Sequence, residues 1–439
     1  MRNSIIKLFA GIFVLTSTSV FAVPEIQYWE TSQGSQVYFV NAPELPMLDL
    51  KVVFDAGSAR DNNKPGLAML TASLLDEGAD GLNADQISAN FESLGANFGS
   101  SSATDSSSIS LRTLSDKTLR DKALENFIRV MAKPDFPEDA FTRQKNRSLI
   151  GLRAKKQSPG SLAGDAFSLA LYGEHPYAQP SGGTEESINA ITIGDVKAFH
   201  KEYYVSSNAL IALVGDISRE EAEAIANQLS EVLPNGQKPR AIDEIEPITE
   251  AERIEIPHPS QQTHILVGAH GVKRGDPDYY TLYLGNHVLG GGGMVSRLFS
   301  EVREKRGLSY SAYSYFSPMR LQGPFVAGLQ TKQGQTQEAL DVLFENIRRF
   351  INEGPTEEEL TASKKNITGG FPLRLDSNSK ILDYIAMIGF YKLPLDYLNT
   401  FNEKIENITV EQVKDAFQRR LNPDNLITVL AGADAKEAQ

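Results

Sequence analysis

The sequence predicts an α+β protein built from two homologous, layered α/β sandwich modules. Three observations carry that expectation. Strand–turn–helix landmarks recur at a nearly constant offset. Gly57 and Gly271 are 214 residues apart, Gly215 and Gly432 are 217 apart, and Gly95 and Gly307 are 212 apart. Strand-like runs come in pairs rather than in strict alternation with helices, which favours a layered sandwich over a doubly wound sheet. Finally, 439 residues with 41% apolar and 23% charged composition exceed one ordinary domain and do not describe a disordered chain.

The elements follow in order. Residues 1–22 read as a secretory signal: Arg2 and Lys7 lead, Ile5 to Val20 form a short apolar core, and Val20-Phe21-Ala22 is a small-x-small cleavage site. The alternative is an N-terminal membrane anchor. β-rich runs are expected at Leu50–Gly57 and Thr263–Gly271, and buried-strand runs at Asn208–Gly215 and Asn425–Gly432. Apolar residues at helical spacing predict helices over Ala84–Leu94, Lys117–Met131, Ser218–Leu233, Thr336–Ile351 and Val410–Leu421. Pro234, Pro239 and Pro247, with Asn235-Gly236, mark a connecting stretch within Pro234–Glu255. The expected division is a first module over 23–240, a linker over 241–255 and a second module over 256–439.

Composition excludes several functions. A net charge of −13 argues against nucleic acid as partner, because phosphate binding needs a basic surface. The absence of cysteine rules out disulfides, thiolate nucleophiles and Cys-type metal sites. Beyond the leader, nothing approaches the roughly 20 apolar residues that span a bilayer. A cysteine-free chain with an export signal fits a periplasmic location. Gly290 to Gly293 lacks the Gly-Lys-Ser/Thr ending of a phosphate loop, so a tight loop permitting positive φ before a helix is expected there.

The segment from Gly57-Ser58-Ala59-Arg60-Asp61 to Gly66-Leu67-Ala68-Met69-Leu70-Thr71-Ala72-Ser73 resembles the zinc-site helix of the pitrilysin/insulinase peptidase family. That family carries an inverted zinc motif there. Here its two ligand histidines fall on Met69 and Ser73, and its general-base glutamate falls on Ala72. Counted at the family's spacing, the third ligand falls near Leu149–Ile150, and no Asp or Glu lies between Asp139 and Asp165. The resemblance extends through Leu171-Tyr172-Gly173-Glu174-His175-Pro176-Tyr177 and Leu289-Gly290-Gly291-Gly292-Gly293-Met294-Val295-Ser296-Arg297-Leu298-Phe299 to Glu301–Tyr310. The six histidines, His175, His200, His258, His264, His270 and His287, show no metal-ligand spacing and read as packing or surface residues.

The resemblance implies a metalloprotease-like fold, of the LuxS- and processing-peptidase-like kind, arranged as a half-clamshell. It also implies that Arg303 and Tyr310, seven residues apart, point at substrate; Arg306 competes for the role, and spacing favours Arg303. An arginine can hold a substrate carbonyl or carboxylate, and a phenol can donate to an oxyanion. Some family members divide the enzyme between a zinc-bearing chain and a chain that has lost the motif. The expected function is therefore the non-catalytic, substrate-binding subunit of a heterodimeric periplasmic zinc metallopeptidase, inactive alone. It would bind no cofactor itself, zinc being held by the catalytic partner, with peptides as substrates and no stable membrane insertion. The alternative is a non-enzymatic peptide-binding or scaffold protein, such as a homodimeric clamshell of the cell envelope. A hydrolase with a relocated site is a further alternative, though no Ser/His/Asp or paired-carboxylate constellation is visible. In the family an edge strand captures extended peptide, and Ser106–Arg112 is the candidate, against a plain sheet strand.

Overall fold

The computed structural model describes residues 25–434; the leader at 1–22 lies outside the described residues. Thirteen strands occur in chain order: β1 Gln27–Glu30, β2 Gln36–Asn41, β3 Met47–Phe54, β4 Gly78–Ala79, β5 Leu82–Asn83, β6 Asn97–Ser102, β7 Ser107–Leu114, β8 Ala209–Gly215, β9 Glu252–Pro257, β10 Gln262–His270, β11 Ser309–Phe316, β12 Pro324–Lys332 and β13 Ile427–Gly432. The first sheet has the order β1-β2-β8-β3-β7-β6 and the second β11-β12-β10-β13-β9; β4 and β5 form a small separate pair. Without β1, the two large sheets have the same topology. β2 runs parallel to β8 as β9 does to β13, and the remaining pairs are antiparallel. Gly95 and Gly307 repeat the correspondence with φ of +64° and +63°.

The helices expected from periodicity form at Ala84–Glu92, Lys117–Ala132, Arg219–Val232, Thr336–Glu353 and Val410–Arg420. Side chains set the starts of four of them. Asn83, Ser218 and Thr409 make reciprocal capping boxes, and Asp116 accepts from the amides of Thr118 and Leu119.

Each large sheet has two apolar faces, because β8 and β13 are buried along their whole lengths. On the first sheet, Phe39, Leu50, Val52, Ile211 and Leu213 pack against helices of the same half. The opposite face presents Tyr38, Val40, Val53, Leu210, Ala212 and Val214 to a core shared with the second half. It is covered by helix Asn378–Phe390, which lies on β2, β3 and β8. The second sheet is treated reciprocally. Helix Pro159–Tyr172 of the first half lies on β9, β10 and β13 and packs Ala163, Phe167 and Leu171 against Val326, Ile427 and Val429. Glycines permit the closest approaches. A Cβ on Gly389 would come within 2.5 Å of Tyr38 and Leu210, and one on Gly268 within 2.7 Å of Phe167.

Buried ion pairs reinforce this exchange. Asp55, at the end of β3, binds Arg60 through two hydrogen bonds of 2.9 and 2.7 Å and also pairs with Arg320 of the second half. Arg60 reaches the carbonyl of Arg240 in the connecting segment at 2.8 Å. Asp105 accepts from the Tyr177 hydroxyl, the Arg320 amide and the Tyr391 hydroxyl.

Trp29, the sole tryptophan, sits in β1 of the first half. Ile385, fully buried in the exchanged helix, belongs to the second half. Ile385→Ala is expected to cost about 2–5 kcal/mol. In urea titrations it shifts the Trp29 fluorescence midpoint together with the circular-dichroism midpoint. An unmoved Trp29 transition contradicts the interlock.

Candidate functional site

Met69 and Ser73 bracket one turn of the short helix Leu67–Ala72, and the Ser73 amide donates to the Met69 carbonyl at 3.0 Å. The two side chains therefore share one face, as a pair of ligating imidazoles would. Asp61 fixes the start of this helix by accepting from the amides of Gly66 at 2.7 Å and Ala68 at 2.8 Å. Burial pushes its carboxyl up to about 7 despite these hydrogen bonds. The helix sets positions 69 and 73 one turn apart, but the donor set does not fit zinc. Met69 offers a thioether, Ala72 a buried methyl, and the Ser73 hydroxyl turns back to the Leu70 carbonyl at 2.9 Å. One turn on, Glu77 is occupied by Arg143 at 2.7 Å and Gln144 at 2.6 Å from helix Glu138–Lys155. On that helix Leu149 packs into the first-half core and Ile150 is 66% exposed. Among the described residues, no three His, Asp or Glu side chains are grouped to hold a metal ion.

The structure brings Arg303 and Tyr310 together. The guanidinium carbon lies 4.0 Å from the Tyr310 ring centroid, and Nη1 donates to the Tyr310 carbonyl at 2.9 Å. The Phe299 ring lies 5.2 Å away on the same guanidinium. Tyr310 is 76% exposed. It sits at an irregularity between Ser309 and Ala312 of β11, one of the two edge strands of the second sheet. Arg306 is committed elsewhere: it and Lys305 hold Glu301 at 2.6 and 2.8 Å, and their hydrogen bonds bring that carboxyl down to about 2.

Ser106–Arg112 is the plain sheet strand rather than a free edge, because β7 is hydrogen-bonded to β3 on one side and β6 on the other. The edges of the first sheet are β1 and β6, and the Ser100 hydroxyl of β6 donates to the Ala72 carbonyl at 2.9 Å. Interior and edge strands alternate alike, so sequence period alone does not separate them. The glycine run is also not a simple loop. The helix Tyr279–Asn286 continues into a wide turn over His287–Gly291, and within the run only Gly293 has positive φ, at +60°. Met294 and Val295 then project, 75% and 74% exposed.

Four histidines are held by neighbours. His175 contacts the Asp243 carbonyl at 3.0 Å, His200 the Met131 carbonyl at 3.0 Å and His270 the Leu171 carbonyl at 2.7 Å; His287 lies between Ser363 and Asn366. His200 is buried, and desolvation brings it down to about 4.

Residues 36–185 match the family described as "Insulinase (Peptidase family M16)", and residues 190–367 match "Peptidase M16 inactive domain". The chain belongs to peptidase family M16. The "Non-peptidase homolog YmxG" of Helicobacter pylori is 26% identical over 444 residues, covering 100% of both chains. The "Uncharacterized zinc protease YmxG" of Bacillus subtilis is 25% identical over 358 residues, covering 81% of this chain and 86% of the relative. A crystal structure described as the peptidase M16 inactive domain from Pseudomonas fluorescens superposes with a TM-score of 0.91 at 43% identity, covering 94% of this chain and 98% of the other. At positions 69, 72 and 73 this M16 chain carries a thioether, a methyl and a hydroxyl.

Two outcomes test the site. Titrating the purified chain with Zn²⁺ in a calorimeter should give no saturable binding in the nanomolar range. Met69→His/Ser73→His should remain weak, since two imidazoles without a third protein ligand do not make the usual site. Separately, His200 is neutral in the fold and charges in the unfolded chain. Its contribution is intact above about pH 6.5 and is lost as pH falls toward 4, by roughly 3 kcal/mol in all. Against the wild type, His200→Gln should flatten the melting temperature across that window.

Proposed function

We propose that this chain is the non-catalytic, substrate-binding subunit of a heterodimeric zinc metallopeptidase that cuts peptides. The observation that carries this reading is the exposed Arg303–Tyr310 pair on the open strand β11, in a chain whose own metal positions hold Met69, Ala72 and Ser73. A chain with no peptidase centre has no catalytic use for that pair unless another chain brings the reacting atoms to it. In this role the Arg303 guanidinium orients a substrate carbonyl, and the Tyr310 hydroxyl donates to the oxygen that gains charge as the peptide carbonyl is attacked. Arg303 already stacks on the Tyr310 ring, so both groups are positioned before substrate arrives. The metal belongs to the partner, and this chain supplies binding and orientation.

The reading places the pair in the periplasm. The basic start, apolar run and small-x-small site of residues 2–22 support that location, as does the lack of cysteine. No described helix is long and apolar enough to cross a membrane.

The test is reconstitution with an exported M16 chain that carries the intact inverted zinc motif. The isolated chain should cleave nothing, and the mixture should cleave peptides. Arg303→Ala and Tyr310→Phe should each lower kcat by about 10²–10³, as loss of an oxyanion donor does, without weakening assembly measured by sedimentation. Wild-type turnover in both variants would overturn the roles given to Arg303 and Tyr310, and a mixture that cleaves no better than the zinc-bearing chain alone would favour the non-enzymatic peptide holder.

A further inference from the structure

The two halves and the connecting segment meet at a cleft of about 480 Å³. Its lining includes Lys238 and Arg240 from the connecting segment, and Arg274, Arg320 and Lys392 from the second half. Its acids are Asp55 and Glu244, and Asp55 is already bound by Arg60 and Arg320. A cationic recess in a chain of net charge −13 concentrates anions locally.

Arg274 stands at the centre of this arrangement. Its side chain also lines a cavity of about 500 Å³ with Tyr279, Tyr280 and Tyr397. It lines a third, of about 670 Å³, with Gly291–Gly293 and the end of β11 from Tyr315 to Pro318. Aromatic rings flank the guanidinium, Tyr391 at 5.5 Å and Tyr279 at 5.9 Å. Its Nε is buried without a hydrogen-bond partner. Among the described residues, no carboxylate pairs with Arg274, whereas Arg60, Arg297 and Arg420 each hold one. A buried Nε–H without a partner is costly unless something else accepts from it. The mount is rigid: the Arg274 amide donates to the Met319 carbonyl at 2.7 Å, and the Tyr391 hydroxyl is tied to Asp105 at 3.0 Å.

We propose that Arg274 anchors a carboxylate of a bound peptide in the cleft between the two halves. The planar fork of arginine matches both oxygens of a carboxylate, and the surrounding cations favour an acidic ligand over a neutral one. The site joins the end of β11, the strand on which Tyr310 stands, so a peptide paired parallel to that edge has its C-terminus directed toward Arg274. For its ligand the inference rests on the peptide-binding role proposed above. The carboxylate is either a peptide C-terminus or an Asp or Glu side chain.

The experiment is fluorescence anisotropy of the full chain with three labelled peptides of one length. One has a free C-terminus and no acidic side chain, one is amidated and contains glutamates, and one is amidated and neutral. At least one carboxylate-bearing peptide should bind tenfold or more tighter than the neutral one, and the advantage should shrink with salt. Arg274→Gln should abolish the advantage, Arg274→Lys should retain part of it, and Arg348→Gln, in an exposed pair with Asp424, should leave it intact. Circular dichroism establishes that each variant folds. Which carboxylate peptide wins identifies its source. Equal binding of all three, or an advantage that survives Arg274→Gln, overturns this site while leaving peptide binding standing. No binding of any peptide overturns both readings.

Discussion

The reciprocal exchange of helices Pro159–Tyr172 and Asn378–Phe390 is the constraint on which the rest of this molecule depends. Each large sheet is apolar on both faces, and each half supplies helices for only one of them. A half on its own would leave a contiguous apolar face in water, which soluble proteins avoid. Each half therefore covers the other, and the sequence repeat becomes one interlocked body rather than two beads on a linker. Asp55 and Asp105 lie at the seam, where they gather Arg60, Arg320, Tyr177 and Tyr391. Buried carboxylates of this kind tolerate little displacement, because removing one partner leaves an uncompensated polar group in a poorly solvating interior.

That rigidity bears on function. The first half sets positions 69 and 73 one turn apart with an acidic cap beneath them, although the side chains cannot ligate. The second half keeps a guanidinium stacked on an exposed tyrosine at an open strand edge. The helix carrying Met69 and the Arg303–Tyr310 pair belong to different halves of the chain.

Much of the fold was legible because amphipathic helices and buried strands write their periods directly into sequence. The runs at Ala209–Gly215 and Ile427–Gly432 read as buried strands because both of their faces meet helices. The helices that do the covering were less visible. Pro159–Tyr172 and Asn378–Phe390 resemble any apolar helix, and nothing local says whose sheet they serve. Arg303 and Tyr310 were implied by the family resemblance, and the structure shows them in contact. Which strands bound the first sheet was not legible, because β6 and β7 differ only in whether a neighbour lies beyond them. Arg274 carried no motif at all.

By itself, then, the sequence determined the duplication, the α+β class, the main periodic elements and the absence of zinc-ligating chemistry at 69, 72 and 73. Each of these is local or repeats at a fixed interval. Only the tertiary structure decided which helix covers which sheet, which strand is an edge, and which charged groups meet in the cleft. Those depend on contacts between residues hundreds of positions apart, such as Tyr38 with Gly389 or Asp105 with Tyr391, and no periodicity along a chain encodes them.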